Sequence, residues 1–198
     1  MTAVVSAEVE PTSTRRVAAE RFAATSAVSE RFFSENADAI ARACHAMALR
    51  FQNGGRLFVC GDDAQRSDVA HVVVEFVHPV VVGKRALPAL PLPDIVGGAA
   101  RTALTSLARS GDLLMVLTAT AVDDDADALL AAARANGILT IALSGAPGKM
   151  AVRADHQFAV PSNDRCIVQE AHEMLYHVLW ELVHVFFDHR AVGKRATA

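Results

Sequence analysis

His71 and Glu75 stand four residues apart in the mostly apolar stretch SDVAHVVVE, which spans residues 67–75. On a helix this spacing places both side chains on one face, where they can share a ligand or a proton. Burial of an imidazole and a carboxylate is costly unless each has a partner. The pair therefore requires polar partners from elsewhere in the chain.

Gln169 and His177 are the candidate partners, on an apolar helix predicted over residues 168–187. They are a little over two turns apart, so they share a helix face only approximately. If this helix packs against the helix of His71, within one chain or across a subunit boundary, two imidazoles, a carboxylate and an amide oxygen converge. Such a set suits zinc or a similar first-row divalent ion. Without metal, Glu75 and His177 can serve as base and acid for moving a proton between adjacent carbons.

Other histidines in apolar segments have a simpler interpretation. A histidine on an apolar helix is more often a hydrogen-bonded core or interface residue than a ligand. We interpret His78, His172 and His184 in this way. The spacing of His71 and Glu75 alone is a weak indication of function for the same reason.

Composition limits the class of protein. The chain has 198 residues, 52% of them hydrophobic and 21% charged, which suits one globular domain with a substantial core. The net charge of −3, without a basic tract, gives no reason to expect nucleic-acid binding. Three cysteines without CxxC spacing fit a reducing compartment. Neither a signal-peptide pattern nor an uncharged apolar run of membrane-spanning length is visible, so we expect a cytoplasmic protein that does not enter a membrane.

Apolar periodicity predicts an α/β fold. We expect one domain over residues 15–190 between flexible tails at 1–14 and 191–198. Continuous apolar runs predict strands or short extended pieces at residues 56–60, 80–82, 86–92, 113–118, 138–143 and 156–160. Helical patterns lie at residues 15–50 (two helices divided at 34–36), around 67–76, at 99–108, at 123–136 and at 168–187. This alternation favours a parallel sheet of about four to five strands covered on both faces, with ligands at the carboxyl ends of the strands.

Two motifs connect this pattern to a known family. They are D-x-x-H-x-x-x-E, within GDDAQRSDVAHVVVEF, and V-P-S-x-D-x-x-x-x-Q-E-x-H-x-x-x-x-H near the C-terminus. With these motifs the chain resembles the sugar isomerase (SIS) domain over residues 15–187, and more narrowly the phosphoheptose isomerase branch. The resemblance implies a three-layer αβα sandwich preceded by N-terminal helices. It also implies aldose–ketose isomerisation of a sugar phosphate of the sedoheptulose 7-phosphate type.

The resemblance also implies roles for particular residues. In the family, the positions of His71, Glu75, Gln169 and His177 line the active site and in several members hold zinc. Glu75 and His177 are then the expected catalytic pair. The expected substrate-binding residues are Gln65, Asp68, Thr118, Thr120 and Asp164. The family usually forms a tetramer of tightly packed dimers with the site at a subunit interface, so a homo-oligomer, dimer or tetramer, is expected, with the site completed across that interface.

The chain departs from the family in the loops that receive the substrate. Where the family reads Gly-Asn-Gly-Gly-Ser, this chain has Gly-Asp-Asp-Ala-Gln at residues 61–65. Where the family has the phosphate cradle Ser-Thr-Ser-Gly-Asn-Ser, this chain has Thr-Ala-Thr-Ala-Val-Asp at 118–123. A carboxylate at Asp123 repels a phosphate dianion, although acidic residues also favour a first helical turn. A family segment is shortened near residues 94–98, and Pro79 stands where the family often has a basic residue.

Three functional hypotheses follow. The first is a divergent sugar-phosphate isomerase that uses Glu75 and His177 for proton transfer. The second is a non-catalytic SIS module that binds a carbohydrate derivative or assembles with protein partners, because its phosphate site is degenerate. The third is a metal-dependent activity on an unphosphorylated ligand, since acidic loops suit sugar hydroxyls or a cation better than phosphate.

Overall fold

Five short apolar segments form a parallel sheet in the computed structural model, which describes residues 11–79, 81–145 and 153–196. The strands are β1 (Leu57–Gly61), β2 (Ala89–Pro91), β3 (Leu113–Leu117), β4 (Leu139–Ser144) and β5 (His156–Ala159). Their order is β2-β1-β3-β4-β5, and every neighbouring pair is parallel. The predicted parallel α/β sheet is therefore confirmed, with five strands.

Helices cover both faces of this sheet. They are α1 (Pro11–Gln52), α2 (Arg66–Val77), α3 (Ala99–Leu107), α4 (Asp124–Ala135) and α5 (Arg165–Ala196). Alternate strand residues point to opposite faces, so Leu57 and Val59 pack with α1, α2 and α5, whereas Phe58 and Cys60 pack with α3 and α4. The result is the predicted three-layer αβα sandwich. Among the described residues, no helix is long and apolar enough to cross a bilayer.

The N-terminal region is one helix, so its predicted division at residues 34–36 is wrong. The Ser34 hydroxyl donates to the carbonyl of Arg31 at 3.0 Å, and the Asn36 amide donates to the carbonyl of Phe32 at 2.8 Å. Both side chains thus bond back within the helix instead of capping a new one. Packing of α1 along α5 favours its continuation.

The helix ends also differ from the predicted tails. α1 begins at Pro11, a residue type that suits a first helical turn, so part of the predicted tail at 1–14 is helical. α5 continues to Ala196, into the predicted tail at 191–198. Residues 1–10 and 197–198 lie outside the described part of the chain.

The segment between α2 and α3 contains less strand than predicted. Val81 and Val82 lie in a turn that ends at Gly83, whose φ is +90°, and Val80 is outside the described residues. β2 is the strand that this segment contributes, and it pairs with β1 over three residues. Prolines in this segment lack the N–H that a longer strand would need, which suits a short edge strand.

A buried carboxylate joins the starts of β1 and β3. Asp112 is fully buried and accepts hydrogen bonds from the backbone N–H groups of Arg56 at 2.8 Å and Arg109 at 2.9 Å. The guanidinium of Arg56 pairs with it at 2.7 Å. Burial alone would raise the pKa of Asp112, but these hydrogen bonds and the Arg56 charge lower it below its ordinary value.

Candidate active site and metal centre

α2 places His71 and Glu75 beside α5. The helix buries Val69, Val72 and Phe76 in the core, which fixes its rotation against the sheet. His71 and Glu75 occupy an adjacent face one turn apart, and both are partly buried. Their position follows from the apolar pattern of this helix.

His177 completes a cluster with these two residues within one chain. Each of His71, Glu75 and His177 offers a ligand atom, and these atoms all lie within 4.8 Å of one another. The Nε2 atoms of His71 and His177 are 3.3 Å apart, and the two rings meet edge to face with centroids 5.0 Å apart. Two imidazole nitrogens and a carboxylate oxygen are a ligand set that divalent first-row metals accept. The three side chains are therefore a candidate metal-binding arrangement.

Gln169 lies two turns before His177 on α5 and is partly buried. Its amide nitrogen donates to the hydroxyl of Ser67, in the first turn of α2, at a long 3.5 Å. The structure therefore places Gln169 on the same side of α5 as α2. Its role as a fourth ligand remains a prediction.

Tyr176 and Glu173 lie beside Nδ1 of His71, and Asp68 lies beside the hydroxyl of Tyr176. The hydroxyl of Tyr176 is 2.9 Å from Nδ1 of His71 and 3.4 Å from Oδ1 of Asp68. A carboxylate oxygen of Glu173 is 3.7 Å from the same Nδ1. Burial raises the pKa of Asp68, and the neighbouring Gln169 and Tyr176 side chains offset only part of that shift. Burial, together with the nearby carboxylates of Asp68 and Glu173, raises the pKa of Tyr176.

The sequence motifs did not predict a role for Tyr176, and they predicted Asp68 only as a substrate-binding residue. A signal for Tyr176 was available, because it is the only tyrosine of the chain and directly precedes His177. Asp68 Oδ2 is buried without a hydrogen-bond partner among the described residues. Asp68 is 3% exposed, so its contacts in the structure are with neighbouring side chains.

Gln65 and His172 connect the loop after β1 to α5. Gln65 is buried, and its Oε1 is 3.2 Å from Nδ1 of His172, whose Nε2 is 3.2 Å from the carbonyl oxygen of Ser144. Burial lowers the pKa of His172 to about 4, so the ring is neutral at pH 7. The structure gives Gln65 a packed position in the loop. His172 and His184 are both buried, whereas His78 is exposed.

Carboxylates of the chain accept hydrogen bonds from backbone N–H groups in the loops after β1 and β3. Asp62, after β1, accepts from the N–H of Gln65 at 3.1 Å and from the N–H of Ala119, after β3, at 3.0 Å. Asp123 accepts from the N–H of Ala126 at 2.9 Å and so caps α4. These N–H groups are donors of the kind that bind phosphate at strand ends and helix N-termini.

The three remaining expected substrate-binding residues also bond within the chain. Thr118 is buried and donates to the carbonyl oxygen of Thr120 at 2.9 Å, while the hydroxyl of Thr120, which is exposed, is 3.4 Å from the carbonyl oxygen of Ala121. Asp164 accepts from the N–H of Cys166 at 2.9 Å, at the start of α5, and pairs with Arg21 of α1 at 2.6 Å. Their roles toward a substrate stay predictions.

A cavity of about 680 Å³ lies between α2 and the segment around β2. Its walls include Val69, Val73 and Val77 of α2, with Asp62 and Asp94 at the carboxyl ends of the strands. Neither the two histidines nor the glutamate of the cluster lines it. The cavity therefore lies along a different side of α2.

Comparison with known proteins finds phosphoheptose isomerases similar to this chain in sequence and in fold. A phosphoheptose isomerase from Solidesulfovibrio magneticus is 29% identical over 177 residues, 82% of this chain and 86% of the relative. One from Thermodesulfovibrio yellowstonii is 28% identical over 184 residues, 85% of this chain and 90% of the relative. The solved structure of a phosphoheptose isomerase from Francisella tularensis superposes with a TM-score of 0.72 at 21% identity, over 85% of this chain and 96% of that one. No protein-family model matches the chain.

These findings confirm the resemblance that the two motifs indicate. The chain has the fold of the SIS-type sugar isomerases. Within that class it is a divergent relative of the phosphoheptose isomerases.

Proposed function

We propose that this chain is an aldose–ketose isomerase that acts on a sugar phosphate of the sedoheptulose 7-phosphate type. The observation that carries the proposal is the convergence of His71, Glu75 and His177 within 4.8 Å. Its similarity to phosphoheptose isomerases over more than four fifths of its length supports the same function. The cytoplasmic location and a dimeric or tetrameric assembly stay predictions.

The reaction moves one proton between adjacent carbons and leaves the sugar's composition unchanged. Glu75 removes the proton from the carbon next to the carbonyl group, and His177 protonates the carbonyl oxygen as the enediol forms. Reversal of these transfers at the neighbouring carbon and oxygen gives the isomeric product. His71 orients the substrate's oxygens beside this pair. The partly buried position of all three residues limits the water around the reacting atoms.

Zinc fits the ligand set of this site. In a zinc-bound form, His71, Glu75 and His177 would instead hold the metal, with Gln169 as the fourth ligand, and the metal would supply Lewis-acid polarisation of the sugar's carbonyl group. Two imidazoles and a carboxylate from the protein match the three-ligand pattern of catalytic zinc sites.

The test combines metal analysis with an isomerisation assay. Purified protein is analysed for bound zinc, and conversion of sedoheptulose 7-phosphate is followed with and without added zinc. Glu75→Gln and His177→Ala are expected to lower kcat by about 100-fold or more, because each removes a proton-transfer group. His78→Ala is the matched control, since His78 is an exposed histidine at the end of the same helix. Absence of metal, turnover and substrate-induced stabilisation in the unmodified protein would refute the proposal.

A second candidate is a non-catalytic SIS module that binds a carbohydrate derivative or assembles with protein partners. The bonds from Asp62 and Asp123 to backbone N–H groups favour it, because they weaken the phosphate site. In this case sugar derivatives or partner proteins bind equally well to the unmodified protein and to a His71→Ala/Glu75→Gln double variant. Loss of that binding in the double variant would argue against it. If turnover occurs only with free sugars, the third hypothesis holds and the substrate is unphosphorylated.

A further inference from the structure

Tyr176 lies behind His71, with its side chain fully buried. Its ring meets the ring of His71 edge to face at 5.2 Å and that of His177 at 5.0 Å. Its hydroxyl lies between Nδ1 of His71 and Oδ1 of Asp68. The rings of His71, Tyr176 and His177 therefore all contact one another, and the buried Tyr176 carries the hydroxyl group of this set.

The chemistry of Tyr176, Asp68 and His71 restricts which of them donates each hydrogen bond. A tyrosine hydroxyl has one proton to donate, and an ionised carboxylate only accepts. When Tyr176 donates to Asp68, its oxygen accepts from Nδ1–H of His71 at 2.9 Å. The Glu173 carboxylate 3.7 Å from the same Nδ1 also favours a proton there. A neutral imidazole with its proton on Nδ1 has its lone pair on Nε2.

The Nε2 atom of His71 faces His177 within the candidate metal-binding cluster, and the two Nε2 atoms are 3.3 Å apart. We infer that Tyr176, supported by Asp68, is a positioning residue that holds His71 with its proton on Nδ1 and its lone pair on Nε2. This inference rests on the proposed function for its purpose, because a metal ligand or proton acceptor needs that lone pair. Outer partners of this kind fix the tautomer and ring orientation of metal-binding histidines.

The tautomer of His71 can be measured without metal or substrate. Two-bond proton–nitrogen NMR spectra of the metal-free protein at pH 8, where an ordinary histidine is neutral, distinguish Nδ1–H from Nε2–H. The His71 signals are assigned by their loss in His71→Gln. We expect Nδ1–H in the unmodified protein. Tyr176→Phe keeps the ring and removes the hydroxyl, so a mixture of tautomers is expected.

Two controls accompany this measurement. His184, whose ring nitrogens lie 2.8 Å and 3.0 Å from the carbonyl oxygens of Trp180 and Arg85, should keep its tautomer in every variant. Glu173→Gln removes the more distant carboxylate and should leave His71 as Nδ1–H, because the tyrosine hydroxyl is nearer.

Zinc titration supplies a second readout. Tyr176→Phe is expected to weaken zinc binding by about 10- to 100-fold, whereas Glu173→Gln should change it less than threefold. An Nε2–H tautomer of His71 in the unmodified protein overturns the inference, and so does an unchanged tautomer in Tyr176→Phe. Failure of the proposed function gives a different result from failure of this inference. In that case zinc binding and turnover are absent, but His71 still has its proton on Nδ1. If Tyr176→Phe does not fold, the tautomer of the unmodified protein still decides.

Discussion

His172 makes the folded chain sensitive to acid. Its ring is fully buried between Gln65 and Ser144, and burial lowers its pKa from 6.5 to about 4. Between these pH values the unfolded chain binds more protons at this residue than the folded chain, so stability falls as the pH decreases. The pKa difference corresponds to about 3 kcal/mol below pH 4, of which about 2 kcal/mol is lost between pH 7 and pH 5.

Urea unfolding at pH 7, 6 and 5 tests this effect in the unmodified protein and in His172→Gln. The glutamine can still form hydrogen bonds but does not titrate. From pH 7 to pH 5 the unmodified protein should lose about 2 kcal/mol more unfolding free energy than the variant. His156, whose pKa is also lowered mainly by burial, is present in both proteins and cancels in the comparison. If the two proteins keep a constant free-energy difference across this range, the reasoning about His172 is refuted.

Two further predictions concern buried and loop carboxylates. Asp112→Ala should lower the unfolding free energy by about 3 kcal/mol in denaturant titrations at pH 7, because it leaves the Arg56 guanidinium and two backbone N–H groups without their partner; a loss below about 1 kcal/mol would contradict this. The double variant Asp62→Asn/Asp123→Ser should bind inorganic phosphate at least about tenfold more tightly by calorimetry, since it removes two carboxylates that compete for backbone N–H groups. Asp124→Asn, a charge change in the same helical turn, is its control, and an equal gain there would attribute the effect to net charge.

The central strands β1, β3 and β4 were predictable because they are short, almost entirely apolar runs, and each of them is buried on both faces of the sheet. The errors arose where long-range packing decides the structure. Ser34 and Asn36 are typical helix caps, but here they bond back to the carbonyls of one continuous helix. Val81 and Val82 have strong strand propensity, yet they lie in a turn. The position beside β1 at this edge of the sheet is taken by β2.

The site was predictable only in part. The four-residue spacing of His71 and Glu75 is a local feature of α2, so sequence alone indicated that they share a face. His177 was a candidate partner only on the condition that the two helices pack together, and the family resemblance supported it, because helix packing cannot be read from spacing. The contact of Tyr176 with Asp68 spans 108 residues of sequence, and no local pattern predicts it. The same holds for the bond from Asp62 to Ala119, which requires β1 and β3 to be neighbours.

The cluster of His71, Glu75 and His177 and the loops after β1 and β3 depend mainly on different contacts in this fold. His71, Glu75 and His177 are held by the packing of α2 on α5, whereas Asp62 bridges the loops that follow β1 and β3. Asp62 and Asp123 therefore make hydrogen bonds in which none of the three cluster residues takes part. If the loops bind the phosphate end of the sugar and the cluster acts on its carbonyl end, as the proposed function requires, loop substitutions should act mainly on KM and cluster substitutions on kcat. This difference in contacts would allow the chain to keep His71, Glu75, Gln169 and His177 while its loops diverge from the family pattern.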